Sequence, residues 1–140
     1  MRVNRKRKKR FFTLTELLVV IIVLAILTII AFPTFRKAVR RSREKEAKSM
    51  LRLIAQSEEM YKLESEGYYV GCSDTSNCNS MLDLSIASGS SAGWNYKVSK
   101  TDPPGATFTA TATPTKTTIS NCDYFYIKNG DNNPTGVNCK

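Results

Sequence analysis

The chain has 140 residues, which suits one modest domain, with 21 Lys plus Arg, 12 Asp plus Glu, four Cys and no His. Because His is the commonest general base, its absence argues against an enzyme. The formal charge of +9 would ordinarily suggest a nucleic-acid or anionic-membrane partner, but the charged residues are unevenly distributed along the chain.

The N-terminal segment joins a basic block to an apolar run. Seven of the 21 basic residues lie in the first ten positions, and no acidic residue precedes Glu16. Residues 17–32 carry no charge, and a helix over 12–33 would be about 33 Å long, enough to cross the ~30 Å bilayer core. Dense positive charge on one flank predicts a cytoplasmic N-terminus and a translocated C-terminal part.

Two residues distinguish this run from an ordinary membrane anchor. An acid such as Glu16 costs about 2.5 kcal/mol or more near the centre of a bilayer, so it either has a partner or lies close to the interface. Pro33 either kinks a packed helix or marks the end of the membrane span. No small-residue cleavage site of a secretory signal peptide follows the run.

A helical pattern continues beyond Pro33. Residues 36–66 contain no Gly or Pro and are rich in helix formers, and apolar residues recur in steps of three and four at Ala47, Met50, Leu51, Ile54 and Tyr61. Gly67 is predicted to cap the helix. We therefore predict one helix of about fifty residues, apolar over 12–33 and amphipathic over 34–66.

A second basic cluster lies early in the amphipathic part of this predicted helix. It consists of Arg36, Lys37, Arg40, Arg41 and Arg43. With Glu44 and Glu46 nearby, we interpret it as a solvated helix face, and contact with anionic lipid or DNA is the alternative.

The C-terminal half has a different composition, rich in Ser, Thr, Asn and Gly. Residues 67–93 are predicted to form a long helix-to-sheet loop. Within 94–140, alternating patterns predict strands over 94–99 and 107–113, a turn over 102–105 and a third strand over 124–128. The apolar face of such a meander needs a cover. The apolar stripe on the predicted helix, formed by Ala47, Met50, Leu51, Ile54 and Tyr61, supplies it. The prediction is an α+β fold, a long N-terminal helix packed on a small antiparallel β-meander.

All four cysteines lie on the predicted translocated side, where an even number implies disulfides. Of the three possible pairings, the local ones, Cys72 with Cys78 and Cys122 with Cys139, are favoured because each closes one loop. The spacings C-x5-C and C-x16-C are not those of zinc sites, so no metal or cofactor is expected.

The segment FTLTELLVVIIVLAILTIIAFP, residues 12–33, resembles the N-terminal signature of type IV pilins and pseudopilins. The resemblance rests on aromatic Phe12, an acid four residues later at Glu16, the unbroken apolar run, Pro33 at the family's helix-kink position and the basic leader. It implies the type IV pilin fold, a leader over 1–11, cleavage by a prepilin peptidase between Phe11 and Phe12, and N-methylation of Phe12. The family usually has Gly where this chain has Phe11.

The resemblance also implies how subunits assemble. The new amine of Phe12 and the Glu16 carboxylate of a neighbouring subunit would pair among packed helices and set the register of a helical filament. Cys122 and Cys139 resemble the pair that bounds the C-terminal loop of many pilins. Asp131, Asn132 and Asn133 could offer oxygen ligands to calcium, as in some secretion pseudopilins, and ordinary turn chemistry is the alternative.

The function implied is that of a structural pilus subunit, with adhesion, twitching motility or DNA uptake as family roles. Its partners would be further copies, other pilins, the prepilin peptidase and an inner-membrane assembly platform, with nucleic acid secondary. The chain would cross the inner membrane once before assembly and then lie in an extracellular pilus, or in the periplasm as a pseudopilin. The alternatives are a type II secretion pseudopilin, which the C-terminal cysteine pair disfavours, and an anchored adhesin or receptor that does not polymerise. No P-loop, nucleophile elbow or metal motif indicates catalysis.

Overall fold

The computed structural model describes residues 12–89, 92–102 and 106–140. The chain divides into two compact units, one ending at Lys37 and the other spanning Ala38–Lys140. The predicted leader over 1–11, and with it Phe11, lies outside the described residues, as does the 103–105 part of the predicted turn.

Helix α1 is the longest element and spans Leu14–Glu64, 51 residues that include Pro33. The single long N-terminal helix predicted from the sequence is therefore confirmed. Among the described residues, α1 is the one helix long and apolar enough to cross a membrane. The side chains over 12–37 are all exposed in the isolated chain, so this half of the helix buries none of its apolar surface within its own unit.

The C-terminal end of α1 is closed by two residues in the left-handed region. The N–H of Gly67 donates to the carbonyl oxygen of Lys62 at 3.0 Å, and Glu66 and Gly67 have φ values of 54° and 96°. This geometry is that of a Schellman motif, in which the residue before Gly67 also turns left-handed. The helix thus stops close to the predicted cap, and Glu66 shares the backbone reversal with Gly67.

Four antiparallel strands form one sheet in the order β1-β2-β3-β4. The strands are β1 (Trp94–Thr101), β2 (Thr107–Pro114), β3 (Tyr124–Lys128) and β4 (Thr135–Val137). The predicted α+β fold is confirmed. Strand β4 was not predicted, because three residues are too few for an alternating pattern to be recognised.

A short helix, α2 (Thr75–Met81), lies inside the segment predicted as a loop. The Asp74 carboxylate caps it by accepting a hydrogen bond from the Asn77 N–H at 3.0 Å. A disulfide between Cys72 and Cys78 ties its middle to the preceding chain. Capping and covalent closure together hold a helix that a Ser- and Asn-rich sequence would not form alone.

The core of the Ala38–Lys140 unit lies between the second half of α1 and the inner face of the sheet. Helix α1 buries Ala47, Leu51, Ile54 and Glu58. Aromatic side chains fill the space opposite them, with Tyr69 against Phe108 at 4.9 Å and Trp94 against Phe125 at 5.6 Å between ring centroids. The predicted helical stripe therefore covers the apolar face of the meander.

The outer edge of β1 is partly occupied by the segment that leads into α2. Cys72 and Val98 exchange two backbone hydrogen bonds, of 3.1 and 2.9 Å. The N–H of Tyr96 donates to the Thr75 hydroxyl at 3.0 Å. The backbone groups of Tyr96 and Val98 that face the edge of the sheet are thus satisfied by one short stretch of chain.

Candidate functional site

The first turn of α1 contains the acidic residue that the sequence singled out. Thr13 precedes the helix, and its hydroxyl accepts a hydrogen bond from the Glu16 N–H at 3.2 Å. The pattern Thr-x-x-Glu is that of a capping box, in which the glutamate occupies the third helical position. A carboxylate in the first turn also interacts favourably with the helix dipole, by about 0.3–1 kcal/mol. Glu16 is therefore placed to assist the first turn, in which the observed capping hydrogen bond is the one that the Thr13 hydroxyl accepts.

Phe12 and Glu16 are both exposed in the single chain, Phe12 with 79% of its surface accessible. Within the described residues, no ion pair engages the Glu16 carboxylate. The predicted cleavage point and the acid thus lie at the same end of α1 with their side chains accessible. A charge partner for Glu16 is therefore absent from residues 12–89, 92–102 and 106–140.

Pro33 lies inside α1, 19 residues after Leu14 and 31 residues before Glu64. On the helical turn that contains Pro33, the Arg36 guanidinium lies over the Phe32 ring, 5.6 Å from the ring centroid. Helix α1 continues without a break through Pro33, although proline has no backbone N–H and therefore removes one helical hydrogen bond. A kink at this position remains a prediction.

Part of the second basic cluster contacts the C-terminal half of the chain, contrary to the expected solvated face. Arg40 donates from Nη1 to the Oδ1 of Asn121. Glu44 Oε1 accepts from the Asn121 N–H at 2.9 Å and from the Ser120 hydroxyl at 3.2 Å. These contacts hold the segment that leads into Cys122. The other four basic residues of the cluster are exposed, as expected, and only Arg40 is half-buried. The contacts to Ser120 and Asn121 were not foreseen because these residues lie some eighty positions further along the chain and have no local signature.

The rest of this helix face is more exposed. Arg43 Nη1 lies 3.3 Å from Glu46 Oε2 in an exposed ion pair, which contributes little stability. The Arg43 carbonyl oxygen also accepts a hydrogen bond from the Trp94 indole N–H at 3.1 Å. The backbone of the cluster therefore positions a core aromatic, while the side chains of Arg36, Lys37, Arg41 and Arg43 remain accessible.

A second disulfide joins Cys122 to Cys139 and closes the C-terminal loop that contains β4. Gly136 lies directly under it. A Cβ atom on Gly136 would be 2.6 Å from Cys139 Sγ and 2.9 Å from Phe125 Cε1. Only glycine fits between the disulfide and the core aromatic at this point.

Glu58 is a buried acid that the sequence pattern did not reveal as special. It is 0% exposed and lies on the helical stripe between Ile54 and Tyr61. Its Oε2 accepts a hydrogen bond from the Val70 N–H at 2.8 Å, whereas Oε1 is buried and has no hydrogen-bond partner among the described residues. The available signal was its position, because an acid four residues after Ile54 falls on the face predicted to be buried.

Burial raises the pKa of Glu58 from 4.5 to about 7, since the carboxylate loses its hydration. The Val70 N–H and the positive charge of Lys100 oppose this rise, and the neighbouring charge of Glu59 adds to it. Beside it, Tyr69 accepts from Lys62 Nζ and donates to Glu59 Oε1, both at 2.9 Å. The hydrogen bond that Lys62 donates to the Tyr69 hydroxyl is also the main reason that the pKa of Lys62 is raised.

The residues considered as calcium ligands take part in other contacts. Asp131 Oδ2 accepts from the Lys128 N–H at 3.2 Å, and Asn133 Oδ1 accepts from Arg52 Nη2 at 2.7 Å. Within 12–89, 92–102 and 106–140, no group of three or more His, Cys, Asp or Glu is placed to hold a metal ion. Asp131 thus takes part in the hydrogen bonding of the turn after β3, and Asn133 joins that part of the chain to α1 through Arg52.

A groove of about 780 Å³ lies between α1 and the turn that follows β3. Its floor contains apolar Ala55, Phe108 and Ile127, and its rim contains charged Arg52 and Lys128. The groove is a surface feature of the Ala38–Lys140 unit. The carboxyl-bearing residues Glu59 and Asp131 also line it.

The long apolar helix, its acidic first turn and the small disulfide-bonded meander define a pilin-type subunit. Residues 6–32 match the family model described as "Prokaryotic N-terminal methylation motif", and residues 33–126 match the one described as "Type IV minor pilin ComP, DNA uptake sequence receptor". The chain belongs to the type IV pilin family.

A curated relative agrees with this assignment. The type IV major pilin protein PilA of Myxococcus xanthus (strain DK1622) is 38% identical over 69 residues, which is 49% of this chain and 31% of the Myxococcus protein. The matched stretch is therefore under a third of that relative's length. No solved structure matches the chain significantly.

Proposed function

We propose that the chain is a structural subunit of a type IV pilus filament, processed by a prepilin peptidase and assembled from the inner membrane. The observation that carries the proposal is the exposure of the apolar half of α1. Large side chains there are mostly accessible, for example Ile29 at 75% and Ile30 at 69%. An isolated apolar helix of this kind needs lipid before assembly and other helices afterwards.

The charge distribution supports the proposed processing. Without residues 1–11 the chain has 14 Lys plus Arg against 12 Asp plus Glu, so most of the positive excess belongs to the leader. In the proposal, the leader holds the N-terminus in the cytoplasm until the peptidase cuts before Phe12. The cut creates an amine close to Glu16, and that amine pairs with the Glu16 of a neighbouring subunit.

Intact-mass analysis tests the processing step. We expect protein purified from membranes of cells with a prepilin peptidase to lack residues 1–11 and to carry one added methyl group on Phe12. Cells without the peptidase provide the control and should yield the full-length chain. A Phe11→Gly variant, which has the family's usual residue, should be cut as well. Cleavage of that variant alone, with the parent chain left intact, would contradict the proposal.

A second candidate function is that of a minor pilin that binds DNA. The match of residues 33–126 to a model described by a DNA uptake receptor favours it. In this case the basic cluster on α1 would supply phosphate contacts, with exposed Lys37 and Arg41 among them.

Gel-shift assays of the full chain in detergent with double-stranded DNA test this candidate. We expect binding that weakens steeply between about 50 and 200 mM salt. The double variant Lys37→Gln/Arg41→Gln should bind DNA more weakly and lower the slope of log affinity against log salt concentration by roughly two. Lys140→Gln, at the far end of the chain, should leave both the affinity and the slope nearly unchanged. Absence of binding at about 50 mM salt would exclude the DNA-binding function.

A further inference from the structure

The sheet has an outer face whose side chains point away from α1. Alternate positions of the three longer strands face the core, and the positions between them are exposed or half-buried. The outward residues are mainly hydroxyl-bearing, with two lysines and two tyrosines among them. They are Asn95, Lys97, Ser99, Thr109, Thr111, Thr113, Tyr124, Tyr126, Lys128 and Thr135.

Strand register places four of these side chains in one row across the sheet. Lys97 is opposite Thr111, Thr111 is opposite Tyr126, and Tyr126 is opposite Thr135. With neighbouring strands about 4.8 Å apart, the row is roughly 14 Å long. A cation, a hydroxyl, an aromatic ring and a second hydroxyl therefore follow one another along a line.

The aromatic side chains form the centre of this face. Tyr124 and Tyr126 have ring centroids 6.4 Å apart and planes inclined by 46°. The Lys128 ammonium lies over the Tyr126 ring, 5.6 Å from its centroid. Such rings present an apolar face, on which the C–H groups of a sugar can pack, and a hydroxyl that donates and accepts hydrogen bonds.

The charge of the face selects the class of ligand. None of the outward strand residues is acidic. The nearest acids in sequence are engaged elsewhere: Asp131 accepts from the Lys128 backbone at 3.2 Å, and Asp123 accepts from Asn138 Nδ2 at 2.7 Å. The face is thus positive, but it has only two lysines among many hydroxyls. Nucleic acid, with one charge per nucleotide, normally requires a denser basic surface.

We propose that this outer face binds a carboxylated polysaccharide, whose sugar rings pack on Tyr126 and Tyr124 and whose carboxylates pair with Lys97 and Lys128. The Thr111 hydroxyl already donates to the Lys97 carbonyl oxygen at 3.3 Å, so in this proposal it accepts a hydrogen bond from a sugar hydroxyl. The site lies within one chain, so its binding does not depend on filament assembly. A failure of this proposal is therefore distinguishable from a failure of the proposed pilus function.

Affinity electrophoresis of the full chain tests the proposal, in a zwitterionic detergent that has no sugar headgroup. Three gel polymers serve as probes: polygalacturonate, neutral dextran and an oligodeoxythymidylate. We expect retardation by polygalacturonate and much weaker retardation by dextran. Tyr126→Ala should weaken binding to polygalacturonate about tenfold, whereas Tyr126→Phe, which keeps the ring, should change it by less than about threefold.

The charged positions give a second set of variants at exposed residues outside the core. Lys97→Gln/Lys128→Gln should lose most of the preference for polygalacturonate over dextran, and exposed Lys45→Gln on α1 and Tyr68→Ala before α2 serve as matched controls. Equal binding by the parent, Tyr126→Ala and the double lysine variant would overturn the proposal. So would loss of oligodeoxythymidylate binding, but not polygalacturonate binding, in Tyr126→Ala, because that result assigns the face to nucleic acid.

Discussion

Replacing Glu16 with alanine is expected to abolish filament assembly and to leave membrane insertion intact. Insertion should persist because alanine is easier than glutamate to place in a bilayer. Assembly should fail because the amine of the processed Phe12 would be left unpaired among packed helices, and removing one partner of a buried ion pair costs about 3–5 kcal/mol. The loss recurs at every subunit of the filament.

The capping-box role of Glu16 requires a control. Glu16→Gln keeps a side chain able to cap the helix but removes the charge, so it should assemble as poorly as the alanine variant. Thr15→Ala, at the adjacent position, should assemble normally. Sheared filaments measured by electron microscopy, together with the amount of subunit in the membrane fraction, provide the readout. Normal filaments from Glu16→Gln would mean that capping, rather than charge pairing, is what Glu16 contributes.

The stability of the Ala38–Lys140 unit is expected to fall as the pH rises from about 4.5 to 7. The pKa of Glu58 is about 7 in the folded chain and 4.5 for an ordinary glutamate. The folded state therefore binds a proton that the unfolded state releases, and each step upward in pH favours unfolding. The full effect is about 3 kcal/mol, reached above pH 7 and absent below pH 4.5.

The groups around Glu58 come from three parts of the chain. Val70 donates from the segment after α1, Lys100 contributes charge from β1, and Glu59 lies next to it on the helix. Asp74 has a lowered pKa because it accepts a backbone hydrogen bond from Asn77, and it contributes stability of the opposite pH dependence. The contribution of Asp74 to stability is lost as the pH falls below 3.8, the ordinary pKa of an aspartate, which lies outside the pH range to be measured.

Urea unfolding between pH 5 and 8, followed by the fluorescence of buried Trp94, measures this effect on the oxidised chain. Glu58→Gln should flatten the pH dependence. The absolute stability of Glu58→Gln is a poorer readout than its pH dependence, because the new amide N–H₂ would lie where Oε1 has no partner among the described residues. Glu64→Gln, exposed on the same helix, should retain the slope of the parent. A parent chain equally stable at pH 5 and pH 8 would contradict the assignment.

The sequence predicted those parts of the fold that repeat with a regular period. The helix and three of the four strands have apolar residues at fixed steps, and each such residue carries its own information about burial. Glu58 shows where this reasoning stops. A rule that recognises only apolar residues skips the acid within the stripe, although its position places it in the core.

The remaining differences come from contacts that no local pattern encodes. Helix α2 depends on a cap at Asp74 and a disulfide rather than on periodicity. The contacts from Arg40 and Glu44 to Asn121 join segments that are far apart in the sequence. At the N-terminus, by contrast, Phe12, Glu16 and Pro33 were found by resemblance, and their roles between subunits stay predictions because a single chain contains no neighbouring subunit.

The cover on the edge of β1 has a consequence for contact between copies of the chain. An uncovered strand edge pairs readily with another copy and starts disordered aggregation. Here Cys72 and Thr75 occupy that edge, and the Cys72–Cys78 disulfide holds both in place. Oxidation of this pair thus also keeps the edge of β1 covered, so that a second copy of the chain cannot pair with the strand at these positions.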